Sequence, residues 1–162
     1  MLRSAHLIAI TACLAVSACG KSESKQGSAI VIEKAIYMSA ADCTEGGKVK
    51  ADMCAALIDK AIQMHEAQSQ TFKSLSSCEA ASGPERCEKA AENLYRMRLQ
   101  AFMFEIVGQQ AQATPLYPSA EGKIGFRDAK KKGVDAKDEN IIVSQASLTL
   151  AHENSRIGKK GR

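Results

Sequence analysis

The sequence predicts an α+β domain, predominantly helical, in which two disulfide-stapled helical corners feed two antiparallel helices beside a small antiparallel β element. Three observations predict it. First, Tyr37-Met38-Ser39-Ala40-Ala41-Asp42-Cys43 matches Phe72-Lys73-Ser74-Leu75-Ser76-Ser77-Cys78, with aromatic, serine and cysteine at the same offsets. Second, each copy continues through a small or glycine-bearing loop to another cysteine, Cys54 or Cys87, that opens an alanine-rich run. Apolar residues in those runs recur at three-four spacing, as on one face of a helix. Third, residues 29–37 and 141–151 alternate in polarity, as half-buried strands do.

The first 18 residues stand apart from the domain. Arg3 supplies a positive start, and residues 7–18 form an apolar stretch too short to cross a bilayer as a helix. It ends at Val16-Ser17-Ala18-Cys19-Gly20, which resembles a bacterial lipobox. Cleavage before Cys19 would follow attachment of diacylglycerol to its thiol; the alternative is an uncleaved anchor. Several acyl chains, at about 0.8 kcal/mol per buried methylene, hold a protein far more firmly than one. The expected partner is therefore a membrane, reached through Cys19. Gly20 in place of aspartate favours the outer membrane, facing the periplasm, by resemblance to enterobacterial sorting. Residues 19–28 then form a lipidated, polar tether.

A single periplasmic domain is expected over residues 29–157, with the duplicated units at 37–71 and 72–108 and a basic tail at 158–162. Ser39 and Asp42 have capping-box spacing, so a short helix should run through Cys43 and stop at Gly46-Gly47. Residues 51–72 carry Cys54, Leu57, Ile58, Ala61, Ile62 and Met64 on one stripe, leaving the helix at 69–72. Ser76 and Glu79 repeat the capping box, Gly83 breaks the chain, and Pro84 suits a first helical position. Residues 87–108 place Cys87, Ala90, Leu94, Met97, Ala101, Phe104 and Gly108 on one face; about 22 residues give a rod of about 33 Å. Thr114-Pro115-Leu116-Tyr117-Pro118-Ser119 cannot continue a helix, because its prolines remove donors and restrict the residues before them. Residues 121–140, glycine-bearing and basic, read as loop or hairpin, and 141–151 as a strand able to pair with 29–37.

Chemistry is sparse. Once Cys13 leaves with the signal and Cys19 carries lipid, Cys43, Cys54, Cys78 and Cys87 remain, an even number for an oxidising compartment. Three pairings are open; the duplication favours Cys43–Cys54 with Cys78–Cys87, and the crossed set Cys43–Cys78 with Cys54–Cys87 respects the same symmetry. Closing loops of about 10–12 residues contributes on the order of 2.5–3 kcal/mol each. A thiol-redox or metal protein is the rival reading, but there is no Cys-x-x-Cys and no zinc-like spacing. His65 lies at the edge of an apolar stripe, as a half-buried histidine with a local hydrogen bond; His152 has no evident partner. Met38, Met53, Met64, Met97 and Met103 read as core filler. No nucleophile motif or phosphate loop occurs, so no catalytic residue, cofactor or metal is expected. An enzyme or small-molecule site, if present, would lie near Thr114–Ser119. The net charge of +4 falls by one unit when Arg3 leaves, and implies no nucleic-acid partner. Lys123, Arg127 and Lys130-Lys131-Lys132, with Lys159-Lys160 at the tail, are a solvated basic loop or a contact for anionic lipid, diluted by Asp128, Asp135, Asp138 and Glu139.

With the lipobox, the cysteine corners and the 114–119 segment together, the chain resembles the YgiB-like family of bacterial envelope lipoproteins, a domain family of unknown function. The resemblance spans Tyr37 to the end of the last strand. It rests on Cys43, Cys54, Cys78, Gly83 and Cys87 in order, and on Pro115-Leu116-Tyr117 followed by Phe126. Gln70-Thr71 stand where family members tend to carry Ala-Pro, so the first long helix should end less sharply. The resemblance implies a lipid-anchored envelope protein with a structural role or envelope protein partners, and brings no catalytic residues.

Overall fold

The computed structural model describes residues 31–120 and 122–157. The expected signal peptide, Cys19, the tether and the basic tail lie outside the described residues. The elements in order are β1 (Ile32–Tyr37), α1 (Ala40–Gly46), α2 (Ala51–Gln68), β2 (Thr71–Phe72), α3 (Leu75–Ser82), β3 (Cys87–Ala91), β4 (Leu94–Met97), β5 (Ala101–Val107), β6 (Gln110–Pro118), β7 (Gly125–Arg127), β8 (Gly133–Asp135), β9 (Ile141–Val143) and α4 (Gln145–Arg156). A curled six-stranded sheet, ordered β8-β7-β6-β5-β1-β9, forms the centre, and β2-β4-β3 make a smaller sheet.

This overturns the predominantly helical expectation: strand and helix are about equally represented, and the long helix over 87–108 does not exist. In its place stand β3, β4 and β5. Glu92-Asn93 turns β3 into β4, with Asn93 at φ 61°, a left-handed position that asparagine tolerates better than most residues. Gly108-Gln109 turns β5 into β6, with Gly108 at φ 60°, as a two-residue type II′ hairpin requires of its first residue. β5 misleads because both of its faces are covered. Phe102, Phe104 and Ile106 pack under α1 and α2, while Ala101 and Met103 join the core under α4. A strand buried on both sides shows a continuous apolar run rather than alternation.

The repeated unit is real at the level of local structure. Each copy is a strand ending in an aromatic, a serine N-cap and a short helix carrying the cysteine. Ser39 Oγ accepts from Asp42 N at 3.2 Å, and Ser74 Oγ accepts from Ser77 N at 3.1 Å. The second cap is thus Ser74, not Ser76, and Pro84 lies in a turn outside any helix. α1 ends as expected at Gly46, with Gly47 at φ 66° in the left-handed region. Gly46 is there for another reason: a Cβ would fall 2.5 Å from the Tyr37 ring. The copies diverge after the loop. Cys54 sits in the first turn of α2, whereas Cys87 opens a strand. Cys43 is bonded to Cys54 (Cα–Cα 5.9 Å) and Cys78 to Cys87 (Cα–Cα 6.2 Å), so each corner closes on itself.

The C-terminal segment departs from expectation as well. β9 is only three residues long and runs parallel to β1, where an antiparallel pair was expected. Residues 145–156 are helix, started by Ser144, whose Oγ accepts from Ser147 N at 3.1 Å. The buried side of α4 is Ser147, Ala151, Asn154 and Ser155. That is a helical i, i+4, i+7, i+8 face built mostly from polar residues, so hydrophobicity alone does not reveal it. Ser144 also donates to Asp42 Oδ2 at 2.6 Å, and Asp42 Oδ2 accepts from Met38 N at 2.8 Å, which joins the start of α4 to the first corner.

Candidate functional site

Two features converge on the end of β6, in the segment 114–119 singled out from the sequence. Both prolines fit the strand. Leu116 O accepts from Gln100 N, so Leu116 faces β5 and Pro115 faces the other edge, where β7 begins pairing only at Tyr117. A missing N–H there leaves no ladder bond unmade.

The first feature is a buried polar cluster around His65, 2% exposed on α2. Its Nε2 lies 3.0 Å from Glu88 Oε1 on β3, and its Nδ1 lies 2.8 Å from Ser69 Oγ and 3.1 Å from Tyr117 Oη on β6. Ser69 Oγ and Tyr117 Oη are 3.2 Å apart. Arg96, directly across from Glu88 on β4, donates through Nε at 2.8 Å. A carboxylate only accepts, so Nε2 donates to Glu88, and the two hydroxyls meet the ring at Nδ1. Burial pushes the Tyr117 phenol up, against a smaller downward pull from its Ser69 hydrogen bond and from Arg96. The cluster therefore fastens α2 to the large sheet through Tyr117 and to the small sheet through Glu88. The local bond to Ser69 was foreseeable; the distant partners Tyr117 and Glu88, and nearly complete burial, were not.

Serine, imidazole and carboxylate in this order are the parts of an activated nucleophile. Space decides against that use. The cavity beside Ser69 and Tyr117 measures about 40 Å³, room for a few waters and far below the roughly 300–1,000 Å³ of ligand sites.

The second feature is an open groove of about 610 Å³ bordered by the β7–β8 hairpin. Ser119, the residue after β6, borders it, and Lys123, Arg127, Lys131, Lys137 and Asp135 are the charged residues among the described lining. The hairpin is built by its own turn chemistry. Asp128 Oδ1 accepts from Lys130 N at 2.8 Å and Lys132 N at 2.9 Å, with Lys131 at φ 65° between them. Gly125 permits the close approach of β7 to β8: a Cβ there would meet Val134 O at 2.2 Å. Beneath, Arg86 is 1% exposed and donates to Ser119 O and to Asn154 O, tying the end of β6 to α4. Arg127, 9% exposed, donates through Nη2 to Ser82 O at 2.7 Å.

Among the described residues no group of three or more His, Cys, Asp or Glu is placed to hold a metal. Among them also, no helix is long and apolar enough to cross a membrane. His152 is half-buried on α4, and Met103 and Met53 pack in the two cores. The sequence pattern hides Arg86, which stands just before the expected helix over 87–108, and Glu88 and Arg96, which fall within it. Their eight-residue spacing across Glu92-Asn93, opposite charges facing each other over a hairpin, was the available signal.

Fold and site define a small mixed domain: a sheet covered on both faces, two disulfide-closed corners, a sealed polar cluster and one open basic groove. A family model described as "Protein of unknown function (DUF1190)" matches residues 32–160, well over half the chain, and the chain belongs to that family. This is consistent with the YgiB-like resemblance, itself to a family of unknown function. No curated protein and no solved structure matches it.

Proposed function

We propose that the protein is a lipid-anchored component of the bacterial cell envelope, held at Cys19 on the periplasmic face of the outer membrane, with a structural or protein-interaction role. The observation that carries this reading is the pair of disulfides, which persist in oxidising compartments and not in a reducing cytosol. Val16-Ser17-Ala18-Cys19 supports it from the sequence side. The domain begins its first strand at Ile32, so only a dozen residues separate it from Cys19, and an extended tether of that length reaches at most about 40 Å. A domain so held stays close to the leaflet.

Intact mass of membrane-extracted protein tests the reading. Acyl mass on a chain starting at Cys19, lost in Cys19→Ala together with outer-membrane fractionation, is the expected result. An unacylated chain in the soluble periplasmic fraction would sink it. The second reading, a ligand site near Thr114–Ser119, is favoured by one observation: Ser119 borders a groove of ligand size.

A further inference from the structure

The groove beside β6 carries a charge imbalance that the anchored role leaves unused. Arg127, Lys123, Lys131 and Lys137 line it, and Asp135 is the acid among the lining residues described. Arg127 is the telling member. It is 9% exposed, its Nε is buried without a hydrogen-bond partner, and none of the ion pairs among the described residues includes it. Its hydrogen bond to Ser82 O at 2.7 Å supplies an acceptor but no negative charge. Arg86 lies near enough to act against it, and burial with that neighbour lowers the affinity of Arg127 for its proton. Folds seldom bury a cation without a counter-charge, because desolvation outweighs what neutral acceptors return. A second guanidinium alongside makes the arrangement worse. A bound anion removes both costs.

We infer that this groove is a binding site for a phosphate ester, anchored by Arg127 and embraced by Lys123, Lys131 and Lys137. The planar guanidinium fork matches two phosphate oxygens, and the exposed lysines act as point charges around it. Among the described lining residues, four cations stand against one carboxylate, which suits a doubly charged group better than a lone carboxylate. The volume, about 610 Å³, leaves space for a body of small-molecule size beyond the phosphate. The phosphate has two possible sources, a soluble phosphomonoester or a lipid headgroup. The inference does not depend on the anchor at Cys19, so Cys19→Ala should retain the site.

The test is thermal unfolding of the full chain in non-ionic detergent. The probes are inorganic phosphate, glycerol phosphate and short-chain phosphatidic acid, a lipid phosphomonoester, with chloride at matched ionic strength and short-chain phosphatidylcholine, a diester, as controls. The expected result is a saturable rise in Tm with the phosphates and none with the controls. Response to glycerol phosphate alone assigns a soluble ligand; response to phosphatidic acid as well assigns a headgroup, and either supports the site. The triple variant Lys123→Gln, Lys131→Gln, Lys137→Gln changes exposed side chains only and should abolish the rise while leaving the unliganded Tm in place. Arg127→Lys keeps the charge but loses the fork, and should weaken binding about tenfold. Equal responses to chloride and phosphate, or a phosphate response unchanged in the triple variant, would overturn the inference.

Discussion

Removal of either staple should cost a similar and calculable amount of stability. The sequence separations are 11 for Cys43–Cys54 and 9 for Cys78–Cys87. Loop-closure entropy then gives about 2.8 kcal/mol for the first and about 2.6 kcal/mol for the second. Cys43 and Cys54 are both fully buried in the core under α1 and α2, so Cys43→Ala with Cys54→Ala adds a small cavity contribution. A single domain has about 5–15 kcal/mol in all. Loss of one staple is therefore survivable, and loss of both leaves little margin. The assay is equilibrium urea unfolding of each double variant, where these energies correspond to midpoint shifts of roughly 1–2.5 M. An unchanged midpoint in either variant, or identical curves for the wild type with and without reductant, would refute the argument that the corners are held by their disulfides.

Three further perturbations follow from named contacts. Gly46→Ala drives a methyl to 2.5 Å from the ring of Tyr37, which is 1% exposed and stacked edge-on against Phe104 at 5.3 Å; overpacking of about 1–3 kcal/mol should exceed the few tenths gained in the unfolded chain, and urea unfolding reads the difference. Glu88→Ala leaves His65 Nε2 and Arg96 Nε without their shared acceptor, and should lose about 1–3 kcal/mol in the same assay, with Glu88→Gln losing less. Burial raises the phenols of Tyr37 and Tyr117 above 10.0 in the folded state; their stabilisation is complete below the unfolded value and lost as pH rises through the folded values, so alkaline unfolding followed by tyrosinate absorbance should shift to higher pH in Tyr117→Phe.

The parts of the fold that were legible in the sequence are those where one local signal meets no rival. Ser39 with Asp42, Gly46-Gly47 and the apolar stripe from Cys54 to Ile62 give α1 and α2 close to their observed bounds. Between Cys87 and Gly108 two signals conflict. Alanine, leucine and glutamate favour a helix, while Ala101-Phe102-Met103-Phe104-Glu105-Ile106-Val107 is an aromatic and β-branched run between turn residues. Tertiary context decides for strand, because a strand there can be covered by α2 on one face and α4 on the other. α4 was illegible for the opposite reason: its buried side is Ser147, Asn154 and Ser155, whose value lies in hydrogen bonds such as Ser147 Oγ to Ile36 O at 3.3 Å.

The same division explains the site. Thr114–Ser119 and the basic residues 123–132 stood out by composition, and the structure brings them together at the end of β6. Composition could not show that Arg127 turns inward while Lys123 and Lys131 stay at the surface. That difference separates a solvated basic loop from a site. Exposed lysines near exposed acids cost little and imply little. A buried guanidinium beside Arg86, on a strand only three residues long, has to be held there by its surroundings. Those surroundings are Ser82 O at the end of α3, whose helix Cys78–Cys87 fastens, and the β6 exit, which Arg86 fastens to α4. The second staple thus also fixes the wall of the groove. Reduction of Cys78–Cys87 should therefore weaken phosphate binding at temperatures where the domain remains folded, whereas loss of Cys43–Cys54, which holds none of the groups bonded to Arg127, should not.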